Sequence, residues 1–360
     1  MSVGSPPPGG AMTPGPDAST RERAGEPWEA RFAAPLRAVD RVETATMTPA
    51  IKFHAYKEVN PRDPYMGGHF PGLTLLPATF FIEALRQSMN TVLGRTEPVN
   101  VLRIVTGRWL APVLSGDELC MEVEAVPEGP DRWAVRAHGI RRDGTTVSMV
   151  KAVVGTERRS NPLDVDRHPP AVTDRAGIPN YADMLEILPV AHPIVLVDRV
   201  EAIEPGRRIV VSKAVTGSEP CYRSMPPGLP VSRYTYPHSL TLESFGQAAS
   251  LLWLSDVSAD GVRMAASVRD CRFAGQVYPG AVLRHVVRID RLISDDVFVS
   301  GQSWDGDRCV LTVGMMATVT RPSITVLGTA SAPPSALRTR TAESGSTRTA
   351  TRPGRMTGGP

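Results

Sequence analysis

Two halves of this 360-residue chain are copies of one pattern, and a duplicated sequence admits only a duplicated fold. Val39-Asp40-Arg41-Val42-Glu43 returns as Val197-Asp198-Arg199-Val200-Glu201, 158 positions later. Lys57-Glu58-Val59, followed by Pro64, Tyr65 and Gly72, returns as Lys213-Ala214-Val215, followed by Pro220, Tyr222 and Gly228. Glu83 and Gln87 return as Glu243 and Gln247 at an offset of 160. Arg108-Trp109, Val113 and Gly116 return as Arg272-Phe273, Val277 and Gly280 at an offset of 164. Four matches in one order, at slowly drifting offsets, are explained by duplication.

Each copy has the same coarse pattern. Two strand-like stretches (36–45 and 50–59; 194–203 and 207–216) lead into a loop rich in Pro and Gly. One helix follows, opened by a proline at its first turn, Pro77 or Pro237. Its apolar residues (Phe80, Phe81, Ala84, Leu85; Leu240, Leu242, Phe245, Ala248, Leu252) cover most faces, which predicts a buried helix. Strand-like segments close each copy, near 100–112, 118–127, 132–140 and 146–155, and near 263–275, 281–291, 296–303 and 309–320. Arg142-Asp143-Gly144 and Asp305-Gly306-Asp307 supply turns between the last pair. The expected fold class is α+β: two repeats, each a buried helix wrapped by an antiparallel sheet.

Residues 1–26 and 329–360, rich in Pro, Gly, Ser, Thr and Arg, are expected to be disordered, because they cannot bury enough apolar surface to offset ordering entropy. The expected domains are therefore repeat 1 over 27–156, a linker over 157–184 and repeat 2 over 185–328. A net charge of +3, partly in the C-terminal tail, gives no electrostatic case for nucleic acid. No apolar run approaches the roughly 20 residues of a membrane span, and the N-terminus does not read as a signal peptide. The four scattered cysteines form neither a disulfide framework nor a metal cluster, which suits a reducing cytoplasm. Neither a metal nor an organic cofactor is expected.

The chemistry-bearing stretch is Lys57-x-Val59-x-x-x-Asp63-Pro64-Tyr65-x-Gly67-Gly68-His69-Phe70-Pro71-Gly72, with Pro77 and Glu83-Ala84-x-x-Gln87 after it. It resembles the β-hydroxyacyl-[acyl-carrier-protein] dehydratases of fatty-acid synthesis, the FabZ and FabA type. Arg108-Trp109-x-x-Pro112-Val113-Leu114-x-Gly116-Asp117 carries the likeness further, as do Leu188-Pro189, Leu196-Val197-Asp198-Arg199-Val200 and Pro205-Gly206 in the second copy. The resemblance implies a hot-dog fold in which two units pair and share two sites, each with a histidine from one unit and an acid from the helix of the other. In a tandem chain the two repeats form an intrachain pseudo-dimer.

The copies differ where it matters. His69 has no counterpart, because its position reads Met225 in repeat 2. One complete pair is therefore expected, His69 with Glu243, while Glu83 faces a position without a base. Removing water from a 3-hydroxyacyl thioester needs a base for the C2 proton, an acid for the departing hydroxyl and donors for charge on the thioester oxygen. A neutral imidazole suits the first role, and a carboxyl in an apolar tunnel the second. Backbone N–H groups at a helix start suit the third. Glu83, Gln87, Gln247, Gly72 and His238 are accessory candidates, whereas His54, His138, His168, His192 and His285 read as structural or exposed. The helix-start glycine of the family is Ala78 in one copy and His238 in the other. The loop before the second helix is four residues longer, 18 positions from 225 to 243 against 14 from 69 to 83, and is expected to plug the second tunnel. The substrate partner implied is an acyl carrier protein bearing a 3-hydroxyacyl chain, with a polyketide or other specialised pathway favoured by these departures. Two further readings remain: a catalytically weak acyl-binding subunit, or a hot-dog thioesterase.

Overall fold

The computed structural model describes residues 28–70, 72–156, 178–254, 262–294 and 296–321. The two termini expected to be disordered lie outside these residues, as do Pro71 and most of the expected linker. From Asn180 onward the linker segment is ordered. Asn180 accepts from the backbone of Ala182 and Asp183, and Asp183 returns a bond to the Asn180 N–H, a capping box that opens helix α3 (Tyr181–Ile187).

Repeat 1 contains a short helix α1 (Trp28–Arg31), strands β1 (Arg41–Thr46) and β2 (Ile51–Glu58), helix α2 (Phe80–Leu93), and strands β3 (Asn100–Trp109), β4 (Glu118–Gly129), β5 (Arg132–Arg141) and β6 (Thr146–Gly155). Repeat 2 follows α3 with β7 (Arg199–Glu204), β8 (Arg208–Ala214), helix α4 (His238–Leu254), β9 (Val262–Phe273), β10 (Val282–Ile293), β11 (Asp296–Asp305) and β12 (Arg308–Arg321). The strands form one twelve-stranded antiparallel sheet, β1-β2-β4-β5-β6-β3-β9-β12-β11-β10-β8-β7, whose order reads the same from either end once the copies are exchanged. At its centre β3 pairs with β9, from Arg103 opposite Arg272 to Arg108 opposite Ser267. Asp270 relieves the like-charge pair there, its Oδ1 lying 2.8 Å from Arg103 Nε and 3.1 Å from Arg272 Nε.

Period-two burial selects the inner face. In β2, Ile51, Phe53 and Ala55 point inward, while Lys52 and Glu58 are exposed. α2 packs on β1 and β3, α4 packs on β8, β10 and β11, and the two helices touch each other. Both are as buried as their composition predicts: α2 is inaccessible from Phe80 to Asn90.

Three duplicated polar ties hold the repeats in matching shape. Gln87 accepts from Ala38 N (2.9 Å) and donates to Leu36 O (3.0 Å); Gln247 accepts from Leu196 N and donates to Ile194 O, both at 2.8 Å. These side chains hold 36–38 and 194–196 against the helices, so the first strand of each repeat begins later than its pattern suggests, at Arg41 and Arg199. Buried Lys57 pairs with Asp63 at 2.8 Å, and buried Lys213 with Glu219 at 2.9 Å. Asp40 accepts from Glu58 N, as Asp198 does from Ala214 N.

His285, fully buried in repeat 2, links Ser303 and Ser244 at 2.7 Å each, and the Ser244 hydroxyl donates to Leu196 O at 2.5 Å. Ser244 therefore accepts from His285 Nε2–H, and Nδ1 accepts from Ser303. Burial lowers the His285 pKa from its ordinary 6.5 to about 3, and the Lys213 charge adds to the effect. The unfolded chain takes up that proton first, so His285 contributes stability that is full above pH 6.5 and declines as pH falls towards 3. Urea unfolding at pH 7 and pH 5 should show wild type losing more stability on acidification than His285→Gln, which is the weaker protein at pH 7.

Candidate active site

His69 sits on the loop before α2, 8% exposed, and repeat 2 holds that loop from outside. Ala191 N donates to Gly68 O at 3.0 Å, and a Cβ on Gly68 would come within 2.0 Å of Ala191 O, so only glycine permits this approach. The His69 backbone N–H bonds Met66 O, and its ring Nδ1 lies 3.0 Å from Leu75 O. A carbonyl only accepts, so Nδ1 carries the proton and Nε2 keeps a lone pair. Burial lowers the pKa of His69 below its ordinary value; the Glu243 charge and the bond to Leu75 act in the opposite direction without overcoming it. The ring is a neutral base at neutral pH.

A cavity of about 130 Å³ lies beside it. Its polar lining includes His69, Thr79, Glu243 and Gln247, and its walls are mainly apolar, among them Phe81, Trp109, Val113, Leu242 and Met316. Glu243 comes from the second turn of α4 and is held by two donors. The Thr79 hydroxyl gives Oε2 a bond of 2.9 Å, and Gln247 Nε2 gives Oε1 one of 3.3 Å. The acid of repeat 2 is thus tied to the helix start of repeat 1, where His69 also lies. Ala78 lines the same cavity, and its backbone N–H has no hydrogen-bond acceptor among the described residues, leaving a donor at the mouth of α2.

The equivalent arrangement around Glu83 is closed. Ser239 donates to Glu83 Oε2 at 3.2 Å, mirroring Thr79 and Glu243. Glu83 Oε1, however, accepts from Arg86 Nη2 at 3.0 Å and from Gln87 Nε2 at 2.8 Å. Arg86 also reaches Asn100 Oδ1 and Ala33 O and lies over the Trp28 ring. The residue three after Glu243 is Gly246, which lines the open cavity; the residue three after Glu83 is Arg86, which fills the closed one. Met225, at the missing histidine's position, packs on the core. The long loop and the N-terminal segment cover this side together: Arg233 stacks on Phe32, and Ala33 N donates to Arg233 O.

Four of the accessory candidates divide between these two places. Gln247 meets Glu243 in the cavity, whereas Glu83, Gln87 and His238 do not line it. The His238 ring stacks on Phe273 with centroids 4.4 Å apart and lies 3.1 Å from Val101 O, filling the position that Ala78 leaves open in the other copy. Gly72 has φ +80°, a turn position that favours glycine. Arg86, which carries much of the asymmetry, and Thr79, which orients Glu243, were missed, because a guanidinium and a hydroxyl gain meaning only once their partners are known.

The pattern of the FabA-like domain matches residues 33–150 and again 188–313. A 3-hydroxyacyl-[acyl-carrier-protein] dehydratase FabZ of Symbiobacterium thermophilum is 41% identical over 101 residues, covering 28% of this chain and 68% of the relative. The enzyme of that name from Lactiplantibacillus plantarum is 33% identical over 135 residues, covering 37% of this chain and 89% of the relative. Each relative spans about one repeat. Among solved structures, an isomerase-inactive variant of GphF DH1 aligns over 82% of this chain and 100% of its own, with TM-score 0.59 and 14% identity. The dehydratase domain of PpsC from Mycobacterium tuberculosis aligns over 78% and 97%, with TM-score 0.52 and 14% identity. At that identity these two establish the double hot-dog fold, and nothing finer.

Glu83→Gln separates structure from chemistry. It leaves the buried Arg86 charge without its carboxylate, which should cost about 3–5 kcal/mol in chemical denaturation, while any activity of the His69 cavity persists in the folded fraction.

Proposed function

This chain belongs to the FabA-like domain family, and from that premise we propose that it acts as a 3-hydroxyacyl-[acyl-carrier-protein] dehydratase with one working site, His69 and Glu243. The observation that carries this reading is a neutral, buried imidazole sharing an apolar cavity with a carboxyl group from the opposite repeat. The substrate is a 3-hydroxyacyl thioester, and the product is its trans-2-enoyl counterpart in fatty-acid or polyketide synthesis. We assign the acyl carrier protein as the carrier that delivers it.

His69 Nε2 removes a proton from C2, made acidic by the thioester carbonyl. The charge that moves onto that oxygen meets the free N–H of Ala78 at the start of α2. Glu243 gives a proton to the C3 hydroxyl, the C3–O bond breaks, the C2–C3 double bond forms and water leaves. Transfer of the proton from the imidazolium to the Glu243 carboxylate restores both groups. Thr79 and Gln247 hold the carboxyl group in one orientation through the cycle.

Incubation with a 3-hydroxyacyl carrier protein, followed by mass spectrometry, should show loss of one water. His69→Ala and Glu243→Gln should each lower the rate by at least ~100-fold, the order of a lost general acid or base. Glu83→Gln should leave the rate per folded molecule within about threefold; a loss as large as that of Glu243→Gln would overturn the single-site reading. Because His69 must be neutral and its pKa is lowered, the acid limb of the kcat/KM profile should lie below about pH 6.5.

A further inference from the structure

Three residues lining the cavity, Trp109, Ser148 and Trp253, carry buried polar groups that the mechanism does not use, and two of them are neighbours. Trp109, at the end of β3, and Ser148, on β6, are direct cross-strand partners, and both line the cavity. Trp109 Nε1 and Ser148 Oγ are buried, and neither has a hydrogen-bond partner among the described residues. Ser148 is only 2% exposed. Its hydroxyl occupies the space above Gly139, where a Cβ would lie 2.3 Å from Oγ and 2.6 Å from the ring of Phe81, another cavity residue.

The second repeat shows what an ordinary wall looks like here. Phe273 stands at the position of Trp109 and pairs across the strands with Leu311, so the same two places are fully apolar. The duplicated fold tolerates that apolar pair, so packing alone does not require an indole N–H and a hydroxyl. An unmet buried donor is destabilising, and a bound partner recovers that loss.

We propose that Trp109 and Ser148 form a polar subsite for an oxygen substituent on the acyl chain, so that the substrate is an oxygenated 3-hydroxyacyl thioester rather than a plain saturated one. The indole only donates, and the serine donates or accepts; a ketone or hydroxyl oxygen satisfies both. A saturated chain leaves both groups dry and unpaired, which is the situation in which a site rejects an analogue most strongly. The inference rests on the dehydratase reading for the identity of the ligand, but its test does not depend on turnover.

The probes are pantetheine amides of 3-hydroxyacyl chains of one length, either saturated or carrying a ketone or hydroxyl moved stepwise along the chain. Calorimetric Kd values on the full-length protein should show at least one oxygenated isomer bound about tenfold or more tightly than the saturated chain. Trp109→Phe and Ser148→Ala should each reduce that ratio, and the double variant should bring it near one, with thermal midpoints confirming that each variant folds. Equal binding by wild type, tighter binding of the saturated chain, or equal weakening of every ligand in the variants would overturn the subsite. The last result would mark a contact to the pantetheine arm. Dehydration is followed separately with the same chains on a carrier protein. A binding preference without dehydration keeps the subsite and removes the enzymatic reading; dehydration without a preference does the reverse.

Discussion

The antiparallel pairing of β3 with β9 is the contact on which the rest of the molecule depends. It joins two six-stranded halves into one sheet and sets the two central helices against each other. Each helix then presents its acid to a hydroxyl at the start of the other, Thr79 to Glu243 and Ser239 to Glu83. Without that seam the His69 loop would lose the segment around Ala191 that holds it and the carboxyl group that faces it.

On this symmetric frame the two sites have been brought to opposite ends. One keeps a base, a small residue at the helix start and a glycine three positions after the acid, so space remains for a ligand. The other has Met225 for the base, His238 stacked on Phe273 and Arg86 neutralising Glu83. A carboxylate without a catalytic partner is costly to bury, and an ion pair on the same helix removes much of that cost. Glu83 persists as part of the core, and so does the Gln87 clamp beside it. The long second loop has no buried residue from Pro226 to Thr235, so it covers this side rather than plugging it. It does so with Phe32 and Ala33, whose burial against Arg233 was not foreseen.

Much of the fold was legible because its signals are local. Alternation in β2, the apolar faces of α2 and α4, and turns closing on Gly144 and Gly306 with positive φ all depend on near neighbours in sequence. The starts of β1 and β7 were placed too early, because extended segments tied to Gln87 and Gln247 have the same residue pattern as strands. From its place at a helix start His238 could equally add a polar group to the open cavity or fill space, and it does the latter, stacked on Phe273 on the closed side. Its own repeat supplies the helix of one site and the acid of the other, and sequence order does not separate those two ends.

The chain's own residues, read in order, establish a duplicated α+β unit and the survival of a single histidine in the motif, since both follow from counting and periodicity. Tertiary structure alone decides that His69 shares its cavity with Glu243, 174 residues away, rather than with Glu83 on the adjoining helix. It also decides that Arg86 closes one site, that Gly246 leaves the other open, and that Trp109 and Ser148 meet on its wall. The physical reason is common to all of these: strand register and helix contact across the seam bring together groups that no sequence period connects.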